Sequence, residues 1–177
     1  MTDAIRRAIE SASAYLGEHP DEARYTDSLA SARVVSGLAV RVEGPNGEVL
    51  ETDMPAGVGG SGASPSPGWF LRASVAACVA SLATMRAAQL GWSGFRCEVE
   101  VDSESDDRGI LGLEASVPGG PLSMRIGLRV STEDRGLEQL EELAAWAVEH
   151  CPVSDAMRRA IPVHVKVSLA DAGGGLP

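Results

Sequence analysis

Apolar positions along the chain change period several times. Ile5, Ala8, Ile9, Ala12 and Leu16 recur at helical spacing and predict an amphipathic helix over 3–17, ended by His19-Pro20. Leu38, Val40 and Val42 then alternate with polar or small neighbours. They predict a strand pair, 28–35 and 38–43, around Ser36-Gly37, and the turn Gly44-Pro45-Asn46-Gly47 returns the chain as a third strand at 48–53. The strongest helix spans 67–90, with Ser66 as its cap, Pro67 in its first turn and Gly91 as its stop. Its stretch SVAACVASLATMRAAQL is small and apolar on nearly all sides, so burial all round is expected, in a core or against a partner subunit. Arg72 and Arg86 interrupt that helix and call for water or a carboxylate.

Strand-like segments follow at 95–104 and 110–117, with a turn over 106–109 between them. Another covers 122–131, where Leu122, Met124, Ile126, Leu128 and Val130 share a face. A helix at 135–149 turns Leu137, Leu140, Leu143, Ala144 and Ala147 inward. Cys151-Pro152 opens a short helix to about Ala160, and Val163–Leu169 reads as a last strand. Strands grouped before and after helices, without strict βαβ alternation, give an α+β fold. The length suits one domain at 21–170, preceded by a helical extension, 1–20, and followed by a flexible tail, 171–177.

Between the third strand and the long helix, residues 55–68 read PAGVGGSGASPSPG. That composition fits a flexible linker or an ordered loop over a site. It is no phosphate loop, because the Lys-Ser/Thr that would follow is missing. The net charge of −10, with Lys166 the single lysine, argues against nonspecific binding to nucleic acid or an anionic membrane surface. No uninterrupted apolar run approaches a membrane span, and the N-terminus has no apolar signal core, so a cytoplasmic location is the expectation. The acidic run Glu98–Asp107 reads as a solvated strand and turn.

The three cysteines, Cys78, Cys97 and Cys151, have neither the number of a secreted disulfide scaffold nor the spacing of a zinc site. Cys78 lies mid-helix among Ala, Val and Leu, where a lone cysteine is most simply a small buried hydrophobe. Cys151 directly precedes Pro152 and falls at the N-cap of the helix that begins there. Unpaired backbone N–H groups at such a position either stabilise a thiolate or are merely capped by it. Cys97 sits on a strand, on a face the sequence leaves open. His150 adjoins Cys151 and is a candidate base, although a neighbour in sequence more often points elsewhere.

The order of these pieces carries a resemblance. A glycine-rich loop, GGSGASPSP, precedes a long apolar helix containing AAC, and HCPVSDAM follows about seventy residues later. From about Ala23 to Leu169 the chain resembles the OsmC/Ohr family, the osmotically inducible and organic hydroperoxide resistance proteins. The resemblance implies an intertwined homodimer, with a curved sheet from each subunit packed on central helices and two sites at the subunit interface. It implies that Cys78 is the peroxidatic thiolate and Cys151 the resolving thiol. An organic hydroperoxide would be the substrate and an external dithiol the reductant, with no bound cofactor or metal. The family's Pro-Glu at the start of the long helix is here Pro67-Gly68, so that carboxylate is missing. Arg33 and Arg41 are the candidates for the family's supporting arginine, neither in its usual Gly-Gly-Arg context. The departures leave a second expectation open: a non-catalytic, stress-associated or small-molecule-binding dimer.

Overall fold

The computed structural model describes residues 2–133 and 135–169. Helix α1 (Thr2–Glu18) lies against α2 (Pro67–Gln89), with Ile5 and Ile9 half-buried. Strands β1 (Ser31–Ser36), β2 (Ala39–Glu43) and β3 (Val49–Thr52) form an antiparallel sheet in the order β1-β2-β3. They pack chiefly on one another, and every residue of β1 is exposed.

The glycine-rich segment is an ordered loop, organised by a carboxylate. Asp53 is buried, and its Oδ2 accepts from the Ser61 N–H at 3.0 Å, the Ser61 hydroxyl at 2.5 Å and the Ala63 N–H at 3.3 Å. Its Oδ1 accepts from the Met54 N–H at 2.8 Å. Gly60 is required here, because a Cβ at that position would stand 1.8 Å from the Met54 carbonyl oxygen. The loop ends at Ser66, whose hydroxyl accepts from the Trp69 N–H at 3.2 Å and caps α2.

Strands β4 (Arg96–Glu104) and β5 (Ser123–Ser131) form a second antiparallel sheet. The period-two pattern sorts its faces. Cys97, Val99, Val101, Met124, Ile126 and Leu128 pack on the core. The acidic residues of β4 face outward as expected, with Glu98 bonded to Arg129 at 2.6 Å and Asp102 to Arg125 at 2.8 Å. Helix α4 (Leu137–Glu149) adds Leu143 and Ala147, and α5 (Pro152–Arg158) follows at once. The core runs along one face of α2, through Val75, Val79, Ala83 and Ala87, to Trp92, Leu143, Ala147 and Cys151.

Several expectations change. Leu122 and Leu137, expected on inward faces, are 55% and 72% exposed. The strand expected at 110–117 is absent. Asp106 instead caps a short helix, α3 (Asp107–Ile110), accepting from the Arg108 N–H at 3.0 Å. A Cβ on Gly109 would meet the Pro118 carbonyl oxygen at 1.9 Å, so the chain folds back on itself there. Residues 163–169 keep their alternation but form no strand, since no sheet edge among the described residues takes them. Val163, Val165, Val167 and Leu169 are 78% to 99% exposed. Within the single chain helix α2 is covered along one face, and Ser74, Ala77, Ser81 and Met85 form an uncovered stripe at helical spacing, the side that the expected burial against a partner subunit would cover. By length and composition α2 is also apolar enough to cross a membrane, although no uninterrupted run was expected to be, because only Arg72 and Arg86 break it. The expected tail, 171–177, lies outside the described residues.

Candidate active site

Cys78 and Cys151, seventy-three positions apart, meet in space. Cys78 lies on α2 two turns beyond Leu71, and Cys151 is the N-cap of α5, where Pro152 occupies the first helical position. The Cys151 side chain is fully buried, while that of Cys78 is partly open. The Cys151 Sγ accepts from the Ser154 N–H at 3.4 Å. The two sulfurs lie close enough to perturb each other, and the Val153 N–H lies near both.

These contacts divide the pair. Burial raises the Cys78 thiol first of all. The hydrogen bond to Cys151 and the charge on that sulfur raise it further, to about 11, against a small opposing pull from the Val153 N–H. Burial also acts upward on Cys151, but the Ser154 hydroxyl and N–H, the Cys78 thiol and the Val153 N–H outweigh it and hold Cys151 below the ordinary thiol value. The first proton therefore leaves below the ordinary thiol value and mainly from Cys151, and the second only at high pH.

Cys97 lies on the inner face of β4, and burial raises its thiol. His150 is not turned toward Cys151. Its ring stacks on Trp146 at 4.2 Å, and its Nδ1 meets the Trp146 carbonyl oxygen at 2.8 Å. Arg33 and Arg41 face each other across β1 and β2. Arg33 pairs with Glu43 at 2.6 Å, and Arg41 with Glu43 at 2.7 Å and Glu51 at 3.3 Å, so both are engaged on their own sheet. A Cβ on Gly68 would meet the Arg72 Nη1 at 3.9 Å, an ordinary contact, and that guanidinium donates to the Ser103 hydroxyl at 3.3 Å. Among the described residues no cluster of His, Cys, Asp or Glu could hold a metal ion.

Sequence reasoning did not single out Ser154 or the Val153 N–H. The signal was present in the cap itself: the third residue of a helix capped by cysteine presents its N–H to that sulfur.

An α+β chain that brings a mid-helix cysteine against a Cys-Pro cap is a dithiol protein by construction. The model of the family described as OsmC-like protein matches residues 59–166, and the chain belongs to that family. Solved structures agree on the fold. An organic hydroperoxide resistance protein OsmC from Legionella pneumophila superposes with a TM-score of 0.53 at 23% identity, over 76% of this chain and 91% of that one. An OsmC-like protein from Mycoplasma pneumoniae reaches 0.64 at 11% identity, over 77% and 91%. The organic hydroperoxide resistance protein OhrB of Bacillus subtilis gives 0.50 at 25% identity, over 76% and 93%. No curated protein matches the chain.

Proposed function

We propose that this protein is a thiol peroxidase that reduces organic hydroperoxides, alkyl or lipid, in oxidative or osmotic stress defence. The observation that carries the reading is the contact between Cys78 and Cys151, with one sulfur partly open and the other buried and supplied with N–H donors. Once the pair has lost one proton, the remaining one can sit on either sulfur. With that proton on Cys151, the Cys78 thiolate attacks the distal peroxide oxygen, the O–O bond breaks, and the alcohol leaves with the proton. The Cys78 sulfenic acid is then attacked by the Cys151 thiolate, expelling hydroxide and closing a disulfide. An external dithiol reopens it. No bound cofactor is needed, and a cytoplasmic setting suits the chemistry.

The working form is a homodimer. The uncovered stripe of α2, the exposed β1 and the unpaired segment 163–169 are the surfaces a second copy would cover. Sedimentation giving a monomer at micromolar concentration would refute this.

A second reading, a non-catalytic small-molecule-binding dimer, is favoured by Gly68 and by the engagement of Arg33 and Arg41 with glutamates of their own sheet. Peptide mapping by mass spectrometry after one equivalent of cumene hydroperoxide separates the two. The peroxidase yields a Cys78–Cys151 disulfide with Cys97 free. A Cys78 that stays reduced in folded protein, while denatured protein oxidises, leaves the second reading standing.

A further inference from the structure

An apolar groove of about 450 Å³ reaches the first turn of α5, and neither Cys78 nor Cys151 is among the residues that line it. Leu71, Met124, Ile126, Val148 and Met157 line it, and Ser154 supplies a hydroxyl. Leu71 stands seven residues before Cys78, so the two share a face of α2 about 10 Å apart along its axis. At the far side Arg158, also a lining residue, donates to the Glu149 carbonyl oxygen at 2.9 Å and is turned to its own backbone.

Ser154 is 4% exposed, and its Oγ is the one buried side-chain oxygen or nitrogen without a hydrogen-bond partner among the described residues. The hydroxyl lies against the Cys151 sulfur, a proximity that stabilises a thiolate, but it makes no directed bond there. Buried hydroxyls are normally satisfied, and this one, on a residue that lines an apolar groove and sits three positions after the Cys151 cap, has no partner.

We propose that Ser154 is a catalytic hydrogen-bond donor: its hydroxyl holds the proximal oxygen of an organic hydroperoxide, and then the oxygen of the product alcohol, while the alkyl group lies in the groove. This rests on the peroxidase reading above and assigns that reaction its leaving-group donor. As the Cys78 thiolate bonds to the distal oxygen, the O–O electron pair moves to the proximal one. The Ser154 O–H donates to it as the charge develops. The proton that neutralises it is the one Cys151 held. The step leaves a Cys78 sulfenic acid, an alcohol in the groove and a Cys151 thiolate ready to close the disulfide. A donor in this place supplies electrostatic help in a chain that has Gly68 where a carboxylate was expected.

The test uses the full reduced chain and cumyl alcohol, the product without the oxidant. Calorimetry should show Ser154→Ala weakening the alcohol by about 5-fold or more, with Ser154→Thr within about 2-fold of the unsubstituted protein. Single-turnover loss of the Cys78 thiol with cumene hydroperoxide should slow on the order of 100-fold in Ser154→Ala and recover in Ser154→Thr. A serine acting only by supporting Cys151 would not move the alcohol's affinity. Equal binding to the unsubstituted and Ser154→Ala proteins overturns the proposal, as does failure of the alcohol to bind the unsubstituted protein at all. Ser154-dependent binding in a protein whose Cys78 stays reduced strikes the peroxidase reading alone.

Discussion

Replacing Cys151 by Ser should make Cys78 more reactive as a nucleophile, although it removes half of the proposed machinery. Serine caps a helix as well as cysteine does, so α5 should keep its start. What disappears is the sulfur that both accepts the Cys78 S–H and repels a second negative charge. Those two effects, after burial, are what lift Cys78 to about 11 from an ordinary 9.0. Burial remains in the variant, so the thiol should move part of the way back. At pH 8 a thiol at 11 is ~0.1% ionised and one at 9.0 ~10%, which bounds the gain at ~100-fold. The assay is iodoacetamide alkylation of reduced protein from pH 6 to 11, read on the Cys78 peptide by mass spectrometry. The expected result is a profile displaced to lower pH and a rate at pH 8 that rises by at least ~3-fold. A Cys78 that alkylates no faster in Cys151→Ser than in the unsubstituted protein would show that the two thiols are not coupled.

Other outcomes follow from the same structure. The raised Cys78 thiol keeps its proton in the folded state after the unfolded chain has lost it. Its contribution to stability is therefore complete below about pH 9 and lost as pH rises toward 11, and Cys78→Ala should make the alkaline fall in denaturation midpoint shallower. Asp53 is held below the usual carboxylate range by the Ser61 hydroxyl first, against desolvation, and then by the Met54, Ala63 and Ser61 N–H groups. Its contribution is present above its unfolded value and lost as pH falls, so Asp53→Asn should loosen the loop at neutral pH and speed proteolytic cleavage within 54–66; an unchanged rate would contradict the clasp. Leu143→Ala, at a side chain only 2% exposed, should cost about 2–5 kcal/mol in urea denaturation. Deleting residues 1–20 should cost about 1–3 kcal/mol through the half-buried Ile5 and Ile9, while leaving Cys78 oxidation intact.

The sequence was most legible where periodicity and caps agree. Ser66-Pro67 and Gly91 bound α2 to within a residue, and the alternation at 122–131 put Met124, Ile126, Leu128 and Val130 on one face, whereas the face of Cys97 was left open until β4 was seen to turn it inward. Segment 110–117 was misread because alternation there is weak, and a local Asp106 cap with a Gly109 close approach decides the backbone. Residues 163–169 show the opposite failure. Their pattern is a strand's, but a strand exists only when an edge accepts it. Both cysteines were identified along the chain, yet their contact depends on how α2 and α5 pack, which spacing does not encode. Ser154 escaped because a serine in the first turn of a helix ordinarily reads as a surface residue.

The sheet β1–β3 has a further consequence, for the life of the newly made chain. Three strands of four to six residues that pack chiefly on one another have no core of their own and are marginal in water. They are made before α2 and the segment 163–169 after α5, so apolar segments that nothing among the described residues covers lie on both sides of the helical core in the order of synthesis. Until such surfaces are buried they are templates for aggregation and targets for proteases. Abundance of this protein should therefore respond more than linearly to its rate of synthesis, with chains that fail to find cover removed before they mature.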